Sequence, residues 1–106
     1  MELIKKIIIS NTTTLSIYFD ESFEIYLSDD EFAHDLATGY ITPCVFEIKI
    51  TDKSGHVSGL NNLGGILLRC DDDPMSTVLE HRMVEKAEHD LQNKIQEVLE
   101  ANQNFN

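Results

Sequence analysis

Three titratable side chains recur at helical spacing near the carboxyl end of the sequence. His81, Glu85 and His89 are four residues apart, so they would share one face of a helix, and each adjacent pair could supply two metal ligands. Within residues 81–89 neither the H-E-x-x-H nor the E-x-x-H pattern is present, because Lys86 stands where the second pattern needs a carboxylate. Mixed charges around these residues are typical of a solvated helix face. We therefore predict no metal site here.

Other chemical motifs are equally incomplete. The carboxylates of Asp71–Asp73 could attract a divalent cation, but the glycine and the later glutamate of a calcium-binding loop are absent, and helix capping explains Asp73. Cys44 and Cys70 form no CxxC pair, and acidic or apolar surroundings do not lower the pKa of a thiol. The sequence thus predicts a protein that is not an enzyme and that needs no cofactor and no metal.

A glycine- and asparagine-rich segment, Gly59–Gly65, is a candidate ligand loop. Neither of the two common phosphate-binding glycine patterns occurs in it. Asn61, Asn62 and Arg69 could still contact a small polar ligand. A plain connection between two strands is the preferred interpretation.

The acidic run from Asp20 to Asp35 is less easily explained. It holds seven carboxylates and neither Lys nor Arg, and capping of a predicted helix accounts only for Asp29, Asp30 and Glu31. Unneutralised carboxylates repel one another, so natural surfaces usually mix charges. We predict a partner-binding surface with two outward tyrosines as anchors, consisting of Tyr18, Asp20, Glu21, Glu24, Tyr26, Asp30 and Asp35. The alternative is an acidic surface that only keeps the protein in solution.

The net charge of the protein restricts the class of partner that it can bind. Nineteen acidic and eight basic residues give a net charge of −11 and a pI near 4.5. This charge argues against direct binding of nucleic acid or of an anionic membrane, and it allows a basic protein partner. We find no signal peptide and no apolar run near the ~20 residues that cross a bilayer. Two cysteines without a disulfide pattern indicate reduced thiols and a cytosolic protein.

Periodicity predicts the elements that would position these residues. Alternation predicts strands at 2–10, 13–20, 22–27, 44–50 and 66–70, with a hairpin between 13–20 and 22–27. A capping box at Ser28–Glu31 starts a short helix that ends at Gly39. Tyr40–Pro43 and Gly59–Gly65 are predicted connections. The sum is an α+β domain at 1–102, in which a mostly antiparallel sheet of four to five strands is covered by a C-terminal helix. A frayed tail follows at 103–106.

The C-terminal helix is predicted to run from Asp73 to Asn102, with Asp73 as the N-cap and Pro74 at the first helical position. Its first apolar stripe consists of Met75, Val78, Leu79 and Met83, and its second consists of Val84, Ala87, Leu91, Ile95 and Val98. On a straight helix the two stripes face different directions. One covers the sheet, and the other requires a second subunit, a kink or a partner protein. We predict a homodimer, with the second stripe as the oligomer interface.

The favoured function is a small inhibitor or immunity-type protein. Its acidic surface would occlude a basic nuclease, toxin or other nucleic-acid-handling protein by charge mimicry. One alternative is an oligomeric protein that sequesters a small ligand. Another is a chaperone or assembly subunit that docks a client through its C-terminal helix.

Overall fold

A four-stranded antiparallel sheet with a long helix across one face forms the protein, as seen in a computed structural model that describes residues 2–21 and 30–103. The side chains of residues 30–33, 102 and 103 are outside this description. The strands lie in the spatial order β1-β2-β3-β4, and the predicted α+β class is confirmed. In chain order the elements are β1 (Leu3–Ile8), β2 (Thr13–Phe19), α1 (Asp30–Ala37), β3 (Ile41–Thr51), β4 (Ser58–Arg69), α2 (Pro74–Glu80) and α3 (Met83–Gln103).

The hydrophobic core lies between one face of the sheet and the two C-terminal helices. Alternate residues of β2 and β3 point into it, as predicted, because side chains of a strand alternate between its two faces. The helices close the core from the other side. The core consists of Leu15, Ile17, Cys44, Phe46, Ile48, Ile50, Val78, Met83, Ala87 and Leu91, each at most 7% exposed.

The pairing of β2 differs from the prediction. This strand pairs with β1 on one side and with β3 on the other, so that Leu15 lies beside both Ile7 and Ile48. The predicted partner of β2 was therefore wrong, since both of its edges are occupied. Residues 22–27, which were to form the second strand of that hairpin, lie outside the described residues.

β3 begins earlier than predicted, at Ile41 rather than Cys44. Pro43 is tolerated at this position because only its carbonyl takes part in the pairing with β2. The backbone N–H of Asp20 donates to that carbonyl at 3.0 Å, just after β2 ends at Phe19. Proline has no N–H with which to return the bond, so the β2–β3 ladder stops at this pair. The end of β2 and the start of β3 are thereby held together.

The segment Gly59–Gly65 is not a loop but part of a continuous strand, which corrects the prediction. Between the pairs Cys44–Ile66 and Phe46–Leu63 the register shifts by one residue, so Gly64 and Gly65 together oppose a single residue of β3. Gly65 has φ of 70°, a left-handed conformation that glycine adopts without strain. Gly64 and Gly65, two of the glycines that suggested a loop, thus form a β-bulge.

The predicted C-terminal helix is interrupted. Asp73 is its N-cap, as predicted, and accepts a hydrogen bond from the Met75 N–H at 3.0 Å. The helix breaks at His81 and Arg82, where Arg82 has φ of 51°. The break redirects the chain so that Val78 of α2 and residues of α3 enter the same core. The kink, one of the three predicted ways to place the second stripe, is therefore present.

Two contacts fix α3 against the outer strand β4. A Cβ atom built on Gly59 would lie 2.6 Å from Leu91 Cβ and would overlap the Ala87 carbonyl, so only glycine permits this approach. One residue further, the Leu60 N–H donates to Asp90 Oδ2 at 2.8 Å, and Lys94 Nζ contacts the same oxygen at 2.9 Å. The hydrogen bond from Leu60 lowers the pKa of Asp90, and the bond to Lys94 lowers it further.

Candidate partner-binding site

A pocket of about 290 Å³ lies where β2 ends and β3 begins, beside the end of α1. Gly39, with φ of 78°, reverses the chain between α1 and β3 and so brings the helix next to the two strand ends. We call this cavity the α1 pocket. Its lining consists of Phe19, Asp20, Glu21, Leu36, Gly39, Ile41, Thr42 and Pro43.

The lining of the α1 pocket combines apolar surface with negative charge. Phe19, at 36% exposed, and the half-buried Leu36 offer apolar surface that a partner could cover. Asp20 and Glu21 add two carboxylates from the same chain segment. A long basic side chain suits such a pocket, because its aliphatic stem packs on apolar groups while its charged end meets the carboxylates.

Cys44 lies next to this region but is not a reactive group. Burial raises the pKa of its thiol, and the negative charge of Asp20 raises it further. The thiol donates a hydrogen bond to the Thr42 carbonyl at 3.3 Å. A protonated, buried thiol is a poor nucleophile, so Cys44 serves the packing of the core.

The structure brings together only part of the predicted acidic surface. Asp20 and Glu21 share the α1 pocket, whereas Asp35 is half-buried on α1 and does not line it. Tyr18 lies on the open face of the sheet, beside Lys6 and Glu47. Glu24 and Tyr26 lie outside the described residues, as does the side chain of Asp30.

The apolar half of the pocket was missed by the sequence analysis. The sequence places Phe19 in a predicted strand, Leu36 in a predicted helix, and Ile41 and Pro43 in a predicted connection. They meet because β2 and β3 pair so that Phe19 stands opposite Cys44. The only signal in the sequence was Pro43, which marks the end of a strand ladder.

The predicted ligand residues are spread along β4. Asn61 and Asn62 are neighbours in β4, so their side chains point to opposite faces of the sheet. Arg69 lies eight residues further along the same strand, roughly 25 Å from Asn61 at the rise of a β-strand. Within one chain these three side chains do not converge on one small ligand. A ligand site that includes them stays a prediction.

The residues assigned to an oligomer interface divide into three groups. Ala87 and Leu91 are 0% and 7% exposed, buried against the sheet of their own chain and thus not accessible to a second subunit. Val84 and Ile95 are half-buried at the edge of the same core. Val98, at 47% exposed, is the member of the set that is open to contact. The dimer itself stays a prediction.

The histidine-rich helix face is split by the break at residues 81 and 82. His81 caps the end of α2, whereas Glu85 and His89 belong to α3. Within residues 2–21 and 30–103, no group of three or more His, Cys, Asp or Glu side chains is arranged to hold a metal ion. None of the helices in this part of the chain has the length and apolar content needed to cross a bilayer.

Comparison with known proteins finds no relative of this chain. No protein-family model matches the chain, and neither a curated protein nor a solved structure matches it.

Proposed function

We propose that this protein binds a basic protein partner and occludes its functional surface, with the α1 pocket receiving a lysine or arginine side chain. The observation that carries the proposal is the pairing of apolar Phe19 and Leu36 with the carboxylates of Asp20 and Glu21 in one cavity. A basic surface that normally binds nucleic acid would be blocked by such a contact, as in an inhibitor or immunity-type protein.

The net charge of −11 supports this class of partner. A strong negative field attracts a basic protein before contact and raises the association rate. The pocket then supplies short-range contacts, which govern how long the complex lasts. Sequestration of a small ligand has less support, because Asn61, Asn62 and Arg69 do not come together.

Association and dissociation kinetics with a basic partner, recovered by pull-down at low salt, test the proposal. The double variant Asp20→Asn with Glu21→Gln, which neutralises the two carboxylates of the pocket, should lower the association rate constant. Added salt should lower the same rate constant for the wild type. Phe19→Ala should mainly raise the dissociation rate constant, because it removes apolar surface from the pocket.

A matched control distinguishes the effect of the pocket carboxylates on the association rate from the effect of the total charge. Glu80→Gln with Glu97→Gln removes the same two charges from exposed positions on α2 and α3. This control should change the association rate less than the pocket variant does. Equal effects of the two double variants, or an association rate that does not depend on salt, would contradict the proposal.

A further inference from the structure

A second, larger depression lies at the opposite end of β2 and β3. Its volume is about 520 Å³, and it lies between α3 and the turn that joins β3 to β4. We call it the α3 groove. Its lining consists of Thr12, Ile50, Thr51, Asp52 and Lys53 on the sheet side and of Glu85, Glu88, His89, Leu91, Gln92 and Ile95 on the helix side.

The apolar part of this groove continues along α3 beyond the core. Leu91 is buried, Ile95 is half-buried, and Val98 and Leu99 are 47% and 51% exposed. Ile95 and Leu99 are four residues apart and Val98 lies between them, so the three side chains form one strip on the helix surface. After Ile95, every side chain of α3 up to Ala101 is exposed. The last turns of the helix thus carry an apolar strip that nothing in the described residues covers.

The charges around the groove favour a cationic occupant over a second copy of the chain. Glu85 and Glu88 line its helix side, whereas Lys53 on the sheet side is the one lysine or arginine in the lining. Over its whole length α3 carries five acidic and two basic residues. The carboxylate of Asp52 on the other side is already hydrogen-bonded to Ser54 Oγ at 2.7 Å and to the His56 N–H at 3.0 Å. A second copy would place another acidic α3 against this one, which like-charge repulsion opposes.

We infer that the α3 groove and the strip of Ile95, Val98 and Leu99 dock a basic amphipathic helix of a partner protein. Apolar side chains at helical spacing would cover the strip, and lysine or arginine side chains would approach Glu85 and Glu88. The β2 strand separates this surface from the α1 pocket by seven residues, or roughly 20 Å. The two surfaces are therefore distinct, and a partner could occupy both at once.

A synthetic peptide of leucine and lysine, about 18 residues long with leucines at helical spacing, is the probe. Titrated into the isotopically labelled protein, it should shift the backbone NMR signals of Ile50, Leu91, Ile95 and Leu99 at lower peptide concentration than those of Phe19 and Leu36. A peptide of the same composition without helical periodicity should bind at least about tenfold more weakly, because it cannot present one apolar face.

Substitution of exposed residues gives the decisive comparison. Leu99→Ser and Val98→Ser should each weaken binding of the probe about tenfold, through loss of apolar contact. Leu79→Ser removes an apolar side chain that is 71% exposed on α2, away from the groove, and should leave binding unchanged. Circular dichroism of all three variants should match that of the wild type.

Three results would overturn the inference. The non-periodic peptide could bind as tightly as the periodic one, or Leu79→Ser could weaken binding as much as Leu99→Ser, and either result would show general attraction to an acidic protein. Light scattering could also show a wild-type dimer that Leu99→Ser converts to a monomer, in which case the occupant is a second copy. Because Asp20→Asn with Glu21→Gln should leave the peptide-induced shifts of Leu91, Ile95 and Leu99 unaffected, failure of this inference is distinguishable from failure of the α1 pocket.

Discussion

Gly59 is the residue whose replacement has the most predictable structural consequence. A methyl group there would overlap the backbone of α3 at Ala87 and Leu91, and neither helix nor strand can move without disturbing the core. We expect Gly59→Ala to lower the free energy of unfolding by about 3 kcal/mol, the upper part of the range for overpacked cores. Gly64→Ala is the control, since a Cβ at Gly64 meets nothing within 4 Å. Urea denaturation of both variants measures the difference, and similar losses would contradict the close approach of α3.

Asp90 makes the contact between α3 and β4 sensitive to acid. Its pKa is lowered first by the Leu60 N–H and then by Lys94, so the folded state holds the charged carboxylate more strongly than the unfolded state does. This contribution is therefore present above the ordinary Asp pKa of about 3.9 and is lost as the pH falls through the lower pKa of the folded state. The difference in unfolding free energy between wild type and Asp90→Asn should be largest above about pH 4 and should shrink on acidification.

NMR titration of the Asp90 carboxyl distinguishes its two partners. Lys94→Gln should raise the pKa of Asp90 only in part, because the hydrogen bond from Leu60 remains. A return of this pKa to the ordinary value in Lys94→Gln would mean that the backbone contact is not formed in solution.

At the scale of elements, the break between α2 and α3 depends on one backbone conformation. Arg82 has φ of 51°, which costs a non-glycine residue roughly 1–2 kcal/mol. Arg82→Gly should relieve that cost and raise the melting temperature, whereas Arg82→Val should lower it, because β-branched residues tolerate this conformation least. A gain in stability from Arg82→Val would indicate a continuous helix without the break.

The elements that could be predicted were those whose pattern is local. Alternation identified the inward residues of β2 and β3, and the Asp73–Pro74 pair marked the start of the helix. The first part of β4 was predicted as a connection because its glycines and asparagines are poor strand formers, and pairing with the central strand β3 overrides that preference. A kink was one of the predicted alternatives, but its position was not predicted, because Arg82 carries no sequence signal of positive φ, which a glycine would have given.

At the scale of the whole molecule, the net charge of −11 should make stability depend on salt. Repulsion among the carboxylates opposes the folded state, and added ions screen it. Raising sodium chloride from low to high concentration should therefore increase the unfolding free energy by about 1 kcal/mol, equivalent to roughly 4–8 °C in melting temperature. Differential scanning calorimetry at increasing sodium chloride concentration measures this shift. A melting temperature that falls with salt would show that attractive ion pairs dominate.

Only the negative charge of the candidate site could be predicted from the sequence. Asp20 and Glu21 stood out because an acidic run without bases is unusual, and that feature can be read from sequence. Phe19, Leu36 and Ile41 did not stand out, since apolar residues at strand and helix ends look the same whether they are buried or form a pocket. Their meeting depends on the β2–β3 register, which joins residues more than twenty positions apart.

The order of the elements has a consequence for synthesis of the chain. All four strands precede the helix that covers them, and Met83, Ala87 and Leu91 are the last core residues to be made. During translation the apolar face of the emerging sheet is exposed to solvent until α3 is made. Its outer strands also have unpaired edges, which can pair with other chains and cause aggregation. Slowing the ribosome between the codons for Arg69 and Leu91 should therefore raise the aggregated fraction of newly made protein. The same pause placed before β2 should have little effect, because no apolar face has yet been assembled.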